Sequence, residues 1–111
     1  MYSAALITKL RETGIPTARF GWETDLLPTG DFIVYAEDSS EDLEADGKHA
    51  ERATEGTVHL YTRDYTDAQR RAVEAALESM PTVVWGLNSI MFEDETKYVH
   101  YAYEVGEYGA V

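Results

Sequence analysis

KYVHYAYEV, residues 97–105, is the stretch of sequence that decides the fold. Its side chains alternate with a period of two and so divide between the faces of an extended strand. One face would carry Val99, Tyr101, Tyr103 and Val105, and the other Tyr98, His100, Ala102 and Glu104. The first set is apolar or aromatic throughout, which is typical of a strand with one buried face. The stretch therefore predicts a long strand in a half-covered β-sheet.

Further strands are predicted on the N-terminal side of this one. Residues 83–87 and 89–92 are rich in β-branched, aromatic and aliphatic side chains, and predict one bent or interrupted strand. Residues 93–96 predict the turn that joins it to the strand above. Residues 57–62, TVHLYT, have the same strand composition.

A helix is predicted between residues 57–62 and the bent strand. Its apolar residues have the i, i+3, i+4, i+7 spacing of one helix face: Val73, Ala76, Leu77 and Met80. Thr66 and Gln69 fit a capping box at its start, in which Thr66 is the N-cap and Gln69 the N3 residue. Pro81 ends it, because proline cannot continue a helix.

The N-terminal third predicts a helix followed by two strands. Residues 3–13 fit a short amphipathic helix, with Gly14 and the following Ile-Pro as its stop signal and an apolar face made by Leu6, Ile7 and Leu10. Residues 18–22 alternate as a half-buried strand would, with Ala18, Phe20 and Trp22 on one face. After a turn at residues 28–31, residues 32–35 predict a buried strand, and a hairpin is the simplest connection of the two strands.

The order of these elements predicts an α+β fold: an antiparallel sheet with two helices packed on one face. Neither repeats nor a linker divide the sequence, so residues 1–111 are predicted to form a single domain.

One segment is too acidic to contribute to a core. Residues 37–56 contain eight acidic and two basic residues, and Leu43 is their only large aliphatic side chain. Asp46-Gly47 at the centre is a hairpin signal, although polar residues flank it. Residues 38–54 are therefore predicted to form either a long projecting β-hairpin arm or a mobile loop.

Charge and composition limit the possible functions. The net charge of −12 disfavours electrostatic binding to nucleic acid or to an anionic membrane, and the absence of cysteine excludes disulfides and thiolate chemistry.

The EF-hand-like spacing of Asp42, Glu44 and Asp46 has Ala53 where the bidentate glutamate belongs, so no calcium site is predicted. If their strands pair, His59 and His100 could approach each other and form a zinc site with Glu104 as a further ligand. We nevertheless expect the protein to bind no metal and no cofactor. No serine or phosphate-binding motif predicts catalysis, so we expect a protein that is not an enzyme.

Eight tyrosines are an unusual number for a chain of this length, and several lie in the C-terminal strand. Tyrosine anchors protein interfaces with an apolar ring and a polar tip, but it is also common in strands and cores. Both interpretations are open for Tyr98, Tyr101 and Tyr103.

The chain resembles the tail terminator, or tail-to-head joining, proteins of siphophages and prophages. The resemblance follows the element order over nearly the whole chain and rests on short stretches, namely residues 28–35, Leu43–Lys48, Val58–Thr62 and Thr96–Val105. It implies an α+β subunit that forms a ring, commonly a hexamer, capping the head-proximal end of the tail tube. The partners implied are further copies of the chain, the major tail tube protein and the head-tail connector, and the location implied is the virion, after assembly in the host cytoplasm.

The residues expected to act in such a ring lie in the arm and in the C-terminal strand. Leu43–Lys48 matches the family's arm-like segment, although Gly47 stands where relatives often have asparagine. The interface residues predicted are Leu43, Glu44, Asp46, Gly47, Lys48, Tyr98, Tyr101 and Tyr103, and those predicted for an acidic lumen are Asp42, Glu44 and Asp46. A related connector or tube protein shares nearly all these features. The alternative from another class is a small acidic DNA mimic that inhibits a nucleic-acid-binding enzyme of the host.

Overall fold

The protein has two helices and five strands in the order α-β-β-β-α-β-β. The computed structural model describes residues 4–22, 26–37 and 53–108. The elements are α1 (Ala4–Arg11), β1 (Thr17–Arg19), β2 (Phe32–Glu37), β3 (Ala53–Thr62), α2 (Ala68–Glu78), β4 (Val83–Phe92) and β5 (Val99–Tyr108). Within these ranges no helix is long and apolar enough to cross a lipid bilayer.

The five strands form one mixed sheet in the order β1-β2-β3-β5-β4. β3 and β5 are paired along their whole length, from Ala53 opposite Tyr108 to Thr62 opposite Val99. Three of the four strand pairs are antiparallel, but β1 and β2 run parallel. The α+β class is confirmed, and the sheet is mixed instead of wholly antiparallel.

The predicted hairpin between the first two strands is wrong. β1 is only three residues long, and Thr17 pairs in parallel with Ile33. The chain leaves the strand at Phe20 and Gly21, whose φ angles of 67° and 114° lie in the left-handed region. The alternation predicted for residues 18–22 therefore stops at Arg19, and Phe20 is 60% exposed instead of buried.

Both helices pack on one face of the sheet and enclose the core there. α1 contributes Leu6, Ile7 and Leu10, and α2 contributes Val73, Ala76 and Leu77. The strands supply the facing side chains, among them Ile33, Tyr35, Val58, Leu60, Tyr101, Tyr103 and Val105. The glycine stop after α1 is confirmed, since Gly14 has a φ of 87°.

The predicted capping box of α2 is wrong by one residue. Asp67 occupies the N-cap with a left-handed φ of 70° and makes no side-chain cap hydrogen bond. Thr66 instead donates to Asp64 Oδ1 through its amide and its hydroxyl, at 2.9 and 2.5 Å. Gln69 Nε2 donates to Asp31 Oδ2 at 3.1 Å, because that carboxylate at the start of β2 faces the first turn of the helix.

The two C-terminal strands follow the sequence pattern closely. β4 is a single strand whose register against β5 shifts between Leu87 and Ser89, the irregularity predicted there. The predicted turn is closed by the Lys97 amide, which donates to the Glu93 carbonyl at 2.8 Å. The predicted arm, residues 38–54, joins the antiparallel neighbours β2 and β3, and it lies outside the described residues except for its last two, which begin β3.

Candidate interaction surface

One face of the sheet carries no helix in the described parts of the chain, and we call it the open face. It begins on β2 with Phe32 and Val34 and continues across the sheet on alternate residues of β3, β5 and β4. The side chains concerned are Thr57, His59, Tyr61, His100, Ala102, Glu104, Val84, Gly86 and Met91.

An aromatic cluster occupies one end of the open face. Phe32 is its centre, with Tyr61 stacked on it at 4.8 Å between ring centroids. The rings of Trp22 and Tyr98 meet Phe32 edge-on at 5.7 and 5.5 Å. The Arg63 guanidinium lies 3.9 Å from the centroid of the Tyr98 ring. Such packing buries Phe32 and Tyr98 but leaves Trp22 and Tyr61 partly accessible to a partner.

The two strand histidines meet beside this cluster. His59 Nδ1 lies 2.8 Å from His100 Nε2, and the His100 ring stacks on Tyr61 at 4.2 Å. Burial lowers the pKa of both imidazoles; the charge of His100 lowers the pKa of His59 further, whereas Glu93 acts in the opposite direction on the pKa of His100. Folding therefore favours the neutral form of both rings, in which one ring N–H donates to the other ring nitrogen.

A metal site at the histidine pair would need further ligands. His59 lies diagonally across from His100, because the residues directly opposite are Ala102 for the first and Tyr61 for the second. Glu104 is paired with Thr57 and Gly86, one row further along the sheet than His59. In residues 4–22, 26–37 and 53–108 no group of three or more histidine and carboxylate side chains is placed to hold a metal ion.

The three tyrosines predicted as interface residues are buried within the subunit. Tyr101 and Tyr103 face α2, where their hydroxyls donate to Asp67 Oδ1 at 3.3 Å and to Glu74 Oε2 at 2.9 Å. Burial, together with these carboxylates, raises the pKa of both phenols. Tyr98 lies on the other side of the sheet and donates to the Gly30 carbonyl at 2.7 Å. With exposed fractions of 8% or less, the three rings offer a partner little surface.

The remaining predicted site residues cannot be placed relative to these. Leu43, Glu44, Asp46, Gly47 and Lys48, as well as the acidic Asp42, lie outside the described residues. Their roles stay predictions.

A groove lies at the other end of the open face, with a cavity volume of about 500 Å³. Its lining alternates small and acidic residues: Glu55 and Thr57 from β3, Glu104 and Gly106 from β5, and Val84 and Gly86 from β4. Tyr108 forms one wall, 3.6–3.8 Å from the position that a Cβ would occupy on Gly106. The groove exists because two of these four β4 and β5 residues, Gly86 and Gly106, have no side chain.

β4 forms an edge of the sheet beside this groove. Its sequence, VVWGLNSIMF, contains no charged residue, and Val84, Ile90, Met91 and Phe92 are each more than half exposed. The sequence predicts the strand but not its edge position, because a strand's pattern does not show which neighbours it will have. The absence of charge over ten residues was the available signal.

The strand histidines and one serine hydroxyl make hydrogen bonds within the subunit. His59 and His100 hydrogen-bond one another, and the Ser79 hydroxyl donates to the Ala76 carbonyl. No protein-family model matches the chain, and no curated protein is significantly similar to it.

Proposed function

We propose that the protein is a non-enzymatic structural subunit of a tailed phage or prophage, a tail terminator that caps the tail tube and joins it to the head connector. The observation that carries the proposal is the open face, which leaves half of a five-stranded sheet without cover from its own helices in the described residues. An arrangement of this kind suits contacts between proteins. The α+β fold with two helices on the sheet also agrees with what the resemblance to this family implies.

Ring assembly, as a hexamer, requires two different complementary patches on each subunit, since head-to-tail contacts are heterologous. The partly exposed rings of the aromatic cluster, Trp22 and Tyr61, are one candidate patch. The acidic segment Asp42–Lys48 is the other. An acidic lumen lined by that segment would let DNA pass without adhering, because like charges repel the phosphate backbone.

Deletion of the gene from the phage or prophage that carries it tests the proposal. A terminator is needed to finish the tail and to attach it, so we expect filled heads and unattached tails of irregular length in electron micrographs. Supplying the protein from a plasmid should restore joined particles. Normal, infectious particles from the deletion strain would contradict the proposal, and would favour the DNA-mimic alternative if phage growth nevertheless suffered.

Charge removal in the acidic segment tests the lumen separately. The variant is Asp42→Asn with Glu44→Gln and Asp46→Asn, and we expect it to reduce assembly or DNA passage, measured as infectious titre per particle. The matched control neutralises three acidic residues elsewhere on the surface, Glu12, Asp94 and Glu95. Equal titres for the two triple variants would remove the special role of the segment and leave only an effect of net charge.

A further inference from the structure

Among the strands of the described residues, β4 is an uncovered edge of the sheet. Its one partner in the described residues is β5, and alternate residues of such a strand point their N–H and C=O groups away from the sheet. Natural edges are usually kept short or charged to prevent unwanted pairing. The opposite edge, β1, is three residues long, whereas β4 has ten residues and no charge. A long uncharged edge is suited to accept another strand.

The groove determines which side chains the added strand would carry. Thr57, Glu104 and Gly86 form one row across β3, β5 and β4, so the residue added opposite Gly86 would face the same side as Glu104. Nothing lies within 4 Å of the position of a Cβ on Gly86. The path from the outer edge to the Glu104 carboxylate is therefore open.

The distances along this row suit a long basic side chain. Two strand spacings separate the added strand from β5, or about 10 Å. An extended lysine or arginine and a glutamate side chain together cover that span. Neither Glu55 nor Glu104 forms a salt bridge with any described residue, so both carboxylates are available to a cation.

We propose that β4 receives an extended segment of a partner protein as a sixth strand, with a lysine or arginine opposite Gly86 reaching over it to Glu104. Backbone hydrogen bonds along β4 provide affinity, and the cation in the groove selects the partner. Exposed Val84 and Met91 on the same face would pack against the neighbouring side chains of the added strand.

A second copy of the chain fits this edge less well than a basic segment. Two β4 strands paired with each other would bring no cation to either groove, since residues 83–92 contain none. The inference adds to the proposed function without depending on it, because the edge would be available whichever protein binds there.

The probe is a capped nine-residue peptide, Lys-Thr-Lys-Val-Arg-Val-Lys-Thr-Lys, titrated into the full-length protein and followed by NMR. We expect saturable binding with shifts concentrated in residues 83–92 and around the groove, and slower hydrogen exchange of β4 amides. A peptide of the same sequence, N-methylated at every second residue along its pairing edge, keeps the charge but loses the backbone donors. It should bind at least tenfold more weakly.

Two variants test the cation site, with one matched control. Glu104→Gln should weaken binding about two- to fivefold, the range of an exposed ion pair. Gly86→Leu should weaken it further by closing the path across β4. Glu95→Gln removes the same charge from the exposed turn and should leave binding unchanged.

Three outcomes would overturn the inference. The first is equal binding of the N-methylated peptide, which would reduce the interaction to general attraction between opposite charges. The second is shifts spread over acidic surface away from β4, or no saturation up to millimolar peptide. The third is β4 amides already protected in a protein that sediments as a dimer, which would assign the edge to a second copy. None of these results bears on the gene-deletion test of tail termination.

Discussion

Gly56 is the residue at which the structure makes its sharpest quantitative prediction. It pairs with Glu37 at the end of the β2–β3 ladder, where the two strands approach the acidic segment. A Cβ at this position would lie 2.7 Å from the Ala36 carbonyl oxygen, 2.9 Å from Glu37 Cα and 2.9 Å from Tyr35 Cε1. Two of these atoms belong to the backbone, and Tyr35 is fully buried. None can move aside independently.

Gly56→Ala is therefore expected to destabilise the protein although alanine favours strands more than glycine does. Overpacking of a rigid site costs about 1–3 kcal/mol. Alanine lowers the conformational entropy of the unfolded chain relative to glycine, which offsets about 0.4–1 kcal/mol of this cost. Because the close contacts are to backbone, we take the upper part of the first range and expect a net loss of about 2 kcal/mol in the free energy of unfolding.

Urea unfolding followed by circular dichroism measures this loss. With a slope of about 1.3 kcal/mol per molar urea, the midpoint should fall by ~1.5 M. Gly86→Ala is the matched control, since it is also a strand glycine and has nothing within 4 Å of its Cβ position. Its midpoint should be unchanged or slightly higher. Equal midpoints for the two variants would refute the argument that the close approach of β2 and β3 requires glycine at position 56.

Three further predictions concern the two faces of the sheet. Folding lowers the pKa values of His59 and His100, so their contribution to stability should be complete above about pH 6.5 and should decline as the pH falls below it. His100→Gln should flatten that decline, measured as the difference between the melting temperatures at pH 7.5 and 5.5. The same difference in the variant and the wild type would contradict the prediction. Tyr103→Phe removes a hydrogen bond to the Glu74 carboxylate and should cost about 1.5 kcal/mol by urea unfolding, whereas no change would show that water replaces the phenol. Leu77→Ala in the fully buried face of α2 should cost about 2–4 kcal/mol, and a loss below 1 kcal/mol would mean that the core closes around the vacated space.

The sequence predicted the secondary structure best where apolar residues recur with a single strand or helix period along a whole element. The sequence of β5 alternates from Val99 to Val105 and buries Tyr101, Tyr103 and Val105, and α2 places Val73, Ala76 and Leu77 on one buried face. The register shift in β4 was also predictable, because the strand-like composition is interrupted at Asn88. These elements make up most of the sheet and half of its helical cover.

The failures have local physical causes. Phe20 continues the alternation of β1 in sequence, but its left-handed backbone turns the chain out of the sheet. The parallel pairing of β1 with β2 depends on the path of the chain between the two strands, which the alternation does not show. Thr66 has the chemistry of an N-cap, yet Asp64 competes for it. Short polar residues offer several mutually exclusive hydrogen bonds, and tertiary position selects among them.

The candidate surface was the hardest part to predict because it depends on strand order. His59 and His100 are far apart in sequence, and their 2.8 Å contact follows from the β3–β5 register. Whether a tyrosine of β5 faces α2 or the open side follows from its place in the alternation. Which strand forms the edge follows from the topology, and the sequence carries a weak signal of it, since β4 lacks the charged residues that β5 contains.

The placement of β5 between β3 and β4 has a consequence for how the chain reaches its native state. β5 follows every other described strand in sequence, yet it is the only strand that connects the two halves of the sheet. During synthesis, β2 and β3 can pair early, whereas β4 has no partner until β5 has emerged. Completion of the sheet must then join residues as distant as Ala53 and Tyr108, which makes the final step a slow, non-local closure. Until β5 joins the sheet, β4 and one side of β3 are unpaired together, so this interval is when the chain has most need of a chaperone.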